Sequence, residues 1–396
     1  MLYQNIYILI LIIVVIIVGL IYYLYNMLKS YNTLLQNTFS NDNRDESGND
    51  NRDESRNDNK NNNTINSNTN YKYLYEPIEY YKSMKGKNMR NHMATFIGNY
   101  FNINSNIIDE ACNSANELHN ASLIIDDIQD SSLKRREMDC AHIVYGVPVS
   151  LSSAYLSIFN KLSTNPNKYY NLIDAKQHKS NNKEYKDLSD DIIKQLVSYK
   201  CLQIALKNCY LAHLGQALDI YWANKKIIPS EEEYYYMINA KTGLGFTGSL
   251  DLYYNLTNNV SKTEYDKFYN LLTKFSQFFQ IRDDYINLTD PDFWAKKGYC
   301  EDFDEKKYSY LIIKYNNSLL DDKEKQEFFD LFYKQNLTNS EKSALIKKLD
   351  AVGIFKDTYK LLTELKSEVN AVIDLNIIFD LLPIKEFNIE IISSFE

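Results

Sequence analysis

Only 11 glycines and 6 prolines punctuate this chain of 396 residues. Folds built from many short strands need breakers about every 8–12 positions, so this scarcity leaves room for little except long helices. The apolar residues agree: they recur at helical spacing from Ile107 to Ile128 and over roughly 191–223, 231–256, 263–288, 322–335 and 343–376. No βαβ unit and no glycine-rich phosphate loop can be read, so the expected class is all-α. The stretch 161–190, containing STNPN and HKSNNKEYKD, is predicted as an extended surface loop between helices. Beyond Asn370 an apolar run, Ile373 to Leu382, stops at Pro383 and predicts a final helix followed by an extension without an assigned role.

The N-terminal part has a different character. Ile6 to Tyr25 carries no charge, and about 20 such residues as a helix would match a bilayer core. Residues 1–28 are therefore expected to be a membrane anchor, with a buried core helix as the alternative. No basic segment precedes the run, no small-residue cleavage site closes it and Lys29 follows, which predicts an uncleaved single-pass anchor with the body in the cytosol, at the endoplasmic reticulum for instance. Residues 29–70 are Asn-rich and include the octads NDNRDESG (41–48) and NDNRDESR (49–56); they predict a disordered linker. The folded body is expected over 71–396. Five scattered cysteines without a CxxC pair indicate neither a disulfide framework nor a zinc site and fit a reducing compartment. A formal net charge of -8 argues against a broad basic face for nucleic acid.

Two acidic clusters carry the chemistry. Asp126, Asp127 and Asp130 stand in SLIIDDIQD at the end of an apolar helix, where i and i+4 share a face and i+1 lies beside them. Carboxylates so placed repel one another unless a cation joins them, and oxygen ligands of this kind suit Mg²⁺ completed by phosphates and water. Asp283, Asp284 and Asn287 in FFQIRDDYINL repeat the spacing 157 positions later. For either cluster alone a solvated acidic helix end is the plain alternative; the pair suggests facing walls of a cavity that clamps a magnesium–diphosphate complex. Arg135 and Arg136 follow the first cluster, and Lys87 and Arg90 stand in KGKNMR. Guanidinium and ammonium groups are the usual partners of phosphate oxygens, although such basic pairs also decorate surfaces.

These residues carry a resemblance. GKNMR (86–90), ELHNASLIIDDIQDSSLKRRE (117–137), AHIVYG (141–146), GQALDIYW (215–222), EEEYYYMINAKTG (231–243) and FFQIRDDYINL (278–288) occur in the order seen in the trans-isoprenyl diphosphate synthases, and the chain resembles most closely the eukaryotic geranylgeranyl diphosphate synthases. The resemblance covers about 73–375. It implies an isoprenoid synthase bundle of helices around a central cavity, magnesium-dependent condensation of isopentenyl diphosphate with an allylic diphosphate, and a homodimer or higher homo-oligomer.

Carried onto this sequence, the resemblance implies that Asp126, Asp127, Asp130 and Asp283 hold magnesium, with Asp284 and Asn287 in support. Arg135, Lys241, Gln280, Lys297 and Lys307 would contact the allylic diphosphate, and Thr242 would turn a hydroxyl or backbone dipole toward the cation. Gly86, Lys87, Arg90, His119 and Arg136 would form the isopentenyl diphosphate site. Small residues at Ala121 and Ser122, where shorter-chain relatives place aromatics, imply a cavity deep enough for a C20 product made from farnesyl diphosphate; farnesyl or longer polyprenyl products, a terpene cyclase and a noncatalytic tethered partner are the competing readings. Glu137, Lys306 and Leu311 depart from the family's usual glycine, glycine and proline.

Overall fold

Each of the six helical stretches predicted from periodicity begins on a side-chain cap. Asn104, Ser189, Ser230, Ser261, Asp321 and Thr338 each accept a backbone N–H of the first turn. Ser230, Ser261 and Thr338 form reciprocal capping boxes with Glu233, Glu264 and Glu341. A cap of this kind contributes about 1 kcal/mol, and it fixes where each helix starts.

The computed structural model describes residues 71–394, which lie in one unit beginning at Thr69. The expected anchor (1–28) and linker (29–70) fall outside the described residues. Among the described residues no helix is long and apolar enough to cross a membrane, and the expected single-pass membrane placement is corrected accordingly.

In chain order the helices are α1 (Glu76–Ser83), α2 (Met89–Tyr100), α3 (Ser105–Gln129), α4 (Ala141–Tyr145), α5 (Val147–Leu172), α6 (Ala175–Asn181), α7 (Asp190–Lys225), α8 (Glu231–Ile238) and α9 (Leu244–Leu256). They continue as α10 (Lys262–Thr289), α11 (Pro291–Lys297), α12 (Glu301–Asp304), α13 (Tyr310–Asn316), α14 (Asp322–Phe332), α15 (Asn339–Ala351), α16 (Ile354–Val372) and α17 (Asn376–Phe379). A π-turn, Asn239–Gly243, joins α8 to α9. The predicted stretch 343–376 divides at Gly353, whose φ of 76° ends α15.

α10 runs through the centre. Phe268, Leu272, Phe275, Phe278, Ile281, Tyr285 and Leu288 follow helical spacing and are all at most 1% exposed, and such side chains contribute about 1.5–3 kcal/mol each when fully buried. α3 packs along α5, and α10 along α16. The only sheet among the described residues is a hairpin, β1 (Lys134–Arg135) and β2 (Met138–Asp139). Its two-residue turn, Arg136–Glu137, has φ of 52° and 70°. Tight hairpin turns favour positive φ at both positions, so this turn demands the backbone that glycine adopts easily, at a place where the chain has Glu.

The predicted loop 161–190 is instead largely helical. α5 continues through Pro166 to Leu172 and α6 follows. Proline removes one helical donor, but Ser163 and Thr164 donate their hydroxyls to the carbonyl of Asn160, and Lys161, Leu162, Asn165 and Tyr169 are buried at helical spacing. Packing overrides the local breaker signal. The C-terminal extension also has a place: α17 is one turn, and beyond it the Pro383 carbonyl accepts from Arg282 Nε (3.0 Å) and Nη2 (2.8 Å) while the Lys385 carbonyl accepts from Tyr285 (2.9 Å). The tail thereby straps α10 on both sides of Asp283.

Candidate active site

The first acidic cluster ends α3, with Asp130 as its C-cap. The structure divides the three carboxylates. Asp127 is fully buried; Arg135 donates to it through Nε at 2.9 Å and through Nη2, and the Tyr81 hydroxyl donates to its other oxygen. Both of its oxygens thus accept from the protein's own donors. Asp126 and Asp130 remain half-buried at the helix end. Arg135 Nη2 reaches Asp126 at 3.1 Å and Lys241 Nζ lies 3.8 Å away. Burial would raise the Asp126 carboxyl, but Lys241, Arg135, Lys297 and Lys307 outweigh it and hold it below its ordinary value. Asp130 goes the other way: burial and then the Asp126 charge push it up to about 6.

The second cluster repeats the division. Asp284 is 1% exposed and accepts from the Tyr234 hydroxyl (2.6 Å), the Tyr310 N–H (2.8 Å) and Gln280 Nε2 (3.0 Å). Burial raises its carboxyl despite the nearby Lys307. Asn287 is buried and accepts the Asp302 N–H at 3.3 Å. Asp283 is the half-buried member. Thr242 donates to Gln280 at 2.7 Å, so Thr242, Gln280 and Asp284 form one chain of hydrogen bonds.

Cations bridge the walls. Lys241 sits on the π-turn, held by Asp219 at 3.0 Å as well as by Asp126. Burial opposes its charge, but Asp219 and Asp126 raise its pKa. Gly215 makes this possible: a Cβ there would lie 2.7 Å from the Lys241 backbone nitrogen. Lys307 pairs with Asp302 at 3.8 Å and acts electrostatically on Asp126, Asp130 and Asp284. Lys297, at the end of α11, acts on Asp126 and Asp302. Asp302 is 5% exposed, its Oδ2 has no hydrogen-bond partner, and burial first of all pushes its carboxyl up to about 7.

Of the residues expected to bind isopentenyl diphosphate, Arg90 and His119 line a cavity next to this cluster. Arg90 Nη1 donates to His119 Nε2 at 2.8 Å. A guanidinium only donates, so that nitrogen is unprotonated; burial, then Arg90, Arg136 and Arg135, keep the imidazole neutral. Arg136 donates to the Met84 carbonyl at 2.9 Å and its guanidinium lies where a Cβ on Gly86 would be, 2.6 Å away. Lys87, which follows Gly86 in the chain, is exposed. Arg90 in turn crosses Gly245, where a Cβ would fall 2.4 Å from Nε.

The cavity has a volume of about 280 Å³, with Leu118, Ile125, Ile158 and Leu252 on its apolar walls and Asp126, Lys241 and Thr242 at its polar end. Of the two small residues expected to set its depth, Ser122 lines it, whereas Ala121 is fully buried in the contact between α3 and α5. The i to i+1 step turns Ala121 about 100° away, which the spacing alone does not resolve.

No group of three or more His, Cys, Asp or Glu among the described residues could hold a metal ion unaided. This donor set still fits magnesium, which needs one or two carboxylates when substrate phosphates and water complete its shell. Asp219, Gly215, Gly245 and Asp302 are site residues that the sequence reading passed over. Asp219 was legible in principle, one helical turn after Gly215; Asp302 lay in CEDFDEK, where charge alone marks no face.

Residues 71–349 match the polyprenyl synthetase family model. A geranylgeranyl pyrophosphate synthase of Hericium erinaceus is 31% identical over 303 residues, covering 76% of this chain and 86% of that protein. One from Dictyostelium discoideum is 29% identical, covering 75% and 86%. A bifunctional sesterterpene synthase of Talaromyces wortmannii is 32% identical over 237 residues, and the match spans 60% of this chain but only 28% of that larger protein. The crystal structure of a geranylgeranyl pyrophosphate synthase superposes with a TM-score of 0.61 at 18% identity, covering 77% of this chain and 86% of the other, a likeness of fold. The chain belongs to the polyprenyl synthetase family.

Proposed function

We propose that the protein condenses isopentenyl diphosphate with an allylic diphosphate, preferentially farnesyl diphosphate, to make geranylgeranyl diphosphate. One observation carries the reading: at the polar end of an apolar cavity stand Asp126, whose charge is held by Lys241, Arg135, Lys297 and Lys307, and Thr242, which hydrogen bonds tie through Gln280 to the second acidic helix end at Asp284. Magnesium ions held by Asp126 and Asp130 on one wall and Asp283 on the other would supply Lewis-acid charge to the leaving diphosphate.

Asp127 and Asp284 act as positioning residues, holding Arg135 and Gln280. The four cations neutralise charge as the allylic C–O bond breaks and diphosphate departs. Gly86, Lys87, Arg90, Arg136 and neutral His119 hold isopentenyl diphosphate so that its double bond attacks the cation; the proton lost afterwards passes to diphosphate. The apolar walls exclude water, which would otherwise quench the cation. A homodimer is part of the proposal. Ile192, Leu196, Tyr199, Leu206 and Tyr210 form an exposed apolar stripe along α7 at the spacing of helix-pairing seams.

The test is incubation of the protein with Mg²⁺, labelled isopentenyl diphosphate and each of dimethylallyl, geranyl and farnesyl diphosphate. A magnesium-dependent C20 product, suppressed in Asp126→Ala and Asp283→Ala, supports the reading; a folded protein that condenses no primer overturns it.

A further inference from the structure

The cavity does not end as it runs. Its walls are apolar, but its far end is made by Ser114, Asn165 and Tyr169, which are 7%, 1% and 3% exposed. The Ser114 hydroxyl donates to Glu110 at 3.0 Å. Both amide atoms of Asn165, Oδ1 and Nδ2, lack a hydrogen-bond partner although the residue is buried and lines the cavity. Buried amides are nearly always paired, so one left open toward a cavity calls for an explanation.

Its level in the fold supplies one. α5 is pinned beside the lower half of α3 by the buried Lys161, which contacts Glu110 at 2.9 Å and Glu117 at 3.3 Å. Ser114 and Ala111 stand 12 and 15 residues before Asp126, which along a helix is roughly 18 to 22 Å. An isoprenoid unit adds four carbon–carbon bonds of about 1.5 Å, so an extended unit advances about 5 Å and about four units fit above this level.

We propose that Asn165 and Tyr169 form a polar floor that ends chain growth at the fourth isoprenoid unit. Tyr169 blocks the path sterically. Asn165 adds a second barrier, because a hydrocarbon end pressed onto the open amide displaces any water there and offers no hydrogen bond in return. The inference deepens the synthase reading and rests on it for its substrate class, with Asn165 and Tyr169 as specificity-determining residues.

Two measurements on the full chain test it: the product-length distribution from farnesyl diphosphate, labelled isopentenyl diphosphate and Mg²⁺, and the relative binding of inert thiolodiphosphates with 15-, 20- and 25-carbon tails. Tyr169→Ala is expected to move the main product up by at least one five-carbon unit and to remove a drop in affinity between the 20- and 25-carbon analogues. Asn165→Leu, which keeps the branched outline and deletes the amide, raises the share of longer products severalfold; Asn165→Phe shortens the product, so the idea survives the failure of any one variant to fold. Unchanged product lengths and an unchanged affinity step in the folded variants overturn the floor. An affinity step that moves with these variants in a protein without turnover keeps the floor and overturns the synthase reading instead.

Discussion

The two acidic helix ends have the same spacing and are used in the same way, yet they are neutralised differently. In each, the first aspartate is left half-buried at the cleft while the second is buried and takes a tyrosine hydroxyl: Tyr81 for Asp127, Tyr234 for Asp284. Asp127 is balanced by a cation, Arg135, whereas Asp284 is held by uncharged donors and its carboxyl is raised by burial. In this chain the second carboxylate of each pair is held by the protein's own donors, through a charged partner at Asp127 and through uncharged ones at Asp284.

That distinction can be broken by mutation. The largest effect is expected for Asp127→Ala, which leaves the Arg135 guanidinium without its buried partner; about 3–5 kcal/mol of stability should be lost in denaturant unfolding. Asp126→Asn is expected to cost clearly less stability, because the half-buried amide keeps an acceptor for Arg135, while condensation falls roughly a hundred- to a thousandfold in kcat/KM; equal losses of stability in the two variants would refute the division of roles. Asp284→Asn keeps an acceptor for Tyr234 and Tyr310, so only about 1–2 kcal/mol should go. Glycine at Glu137 or Lys306, both at positive φ (70° and 57°), should add about 1 kcal/mol each. A melt of each variant reads this directly.

Asp130 sharpens the comparison through pH. Its folded-state carboxyl is raised from 3.8 to about 6 by burial and Asp126, so the folded state binds the extra proton between those values. In metal-free protein its unfavourable contribution is absent below about pH 4, grows through pH 6 and persists above. Asp130→Asn should thus match the wild type near pH 4 and exceed it in thermal stability at pH 8; the reverse order would show that Asp130 gains a partner on folding.

Periodicity made most of the helices legible because it is local, and the capping boxes of Ser230 with Glu233 and Ser261 with Glu264 are an equally local signal that was not used. The acidic clusters were legible as faces. Their internal division was not, since the burial of Asp127 rests in part on Tyr81, 46 residues away in the chain. The segment around Pro166 misled for a related reason: its breakers are visible in sequence, while the burial of Leu162, Asn165 and Tyr169 that keeps it helical comes from α3 and α7. The departures at Glu137 and Lys306 fall on left-handed backbone, which glycine, the residue the resemblance led one to expect there, adopts at least cost. The expected anchor and linker fell outside the described residues, and the membrane placement drawn from them was corrected.

The π-turn at Asn239–Gly243 has a consequence for how this helix pair can change. A π-turn holds one residue more than the α-helical turn it replaces. Deleting one of its five residues would let α8 run straight into α9 and rotate everything after it by about 100°, taking Gly245 from beneath Arg90 and Lys241 from between Asp219 and Asp126. Substitutions here can be graded, but length cannot: the segment works as a fixed phase offset between Lys241 with its two aspartates and the crossing of Arg90 over Gly245, and an indel within it would uncouple them in a single step.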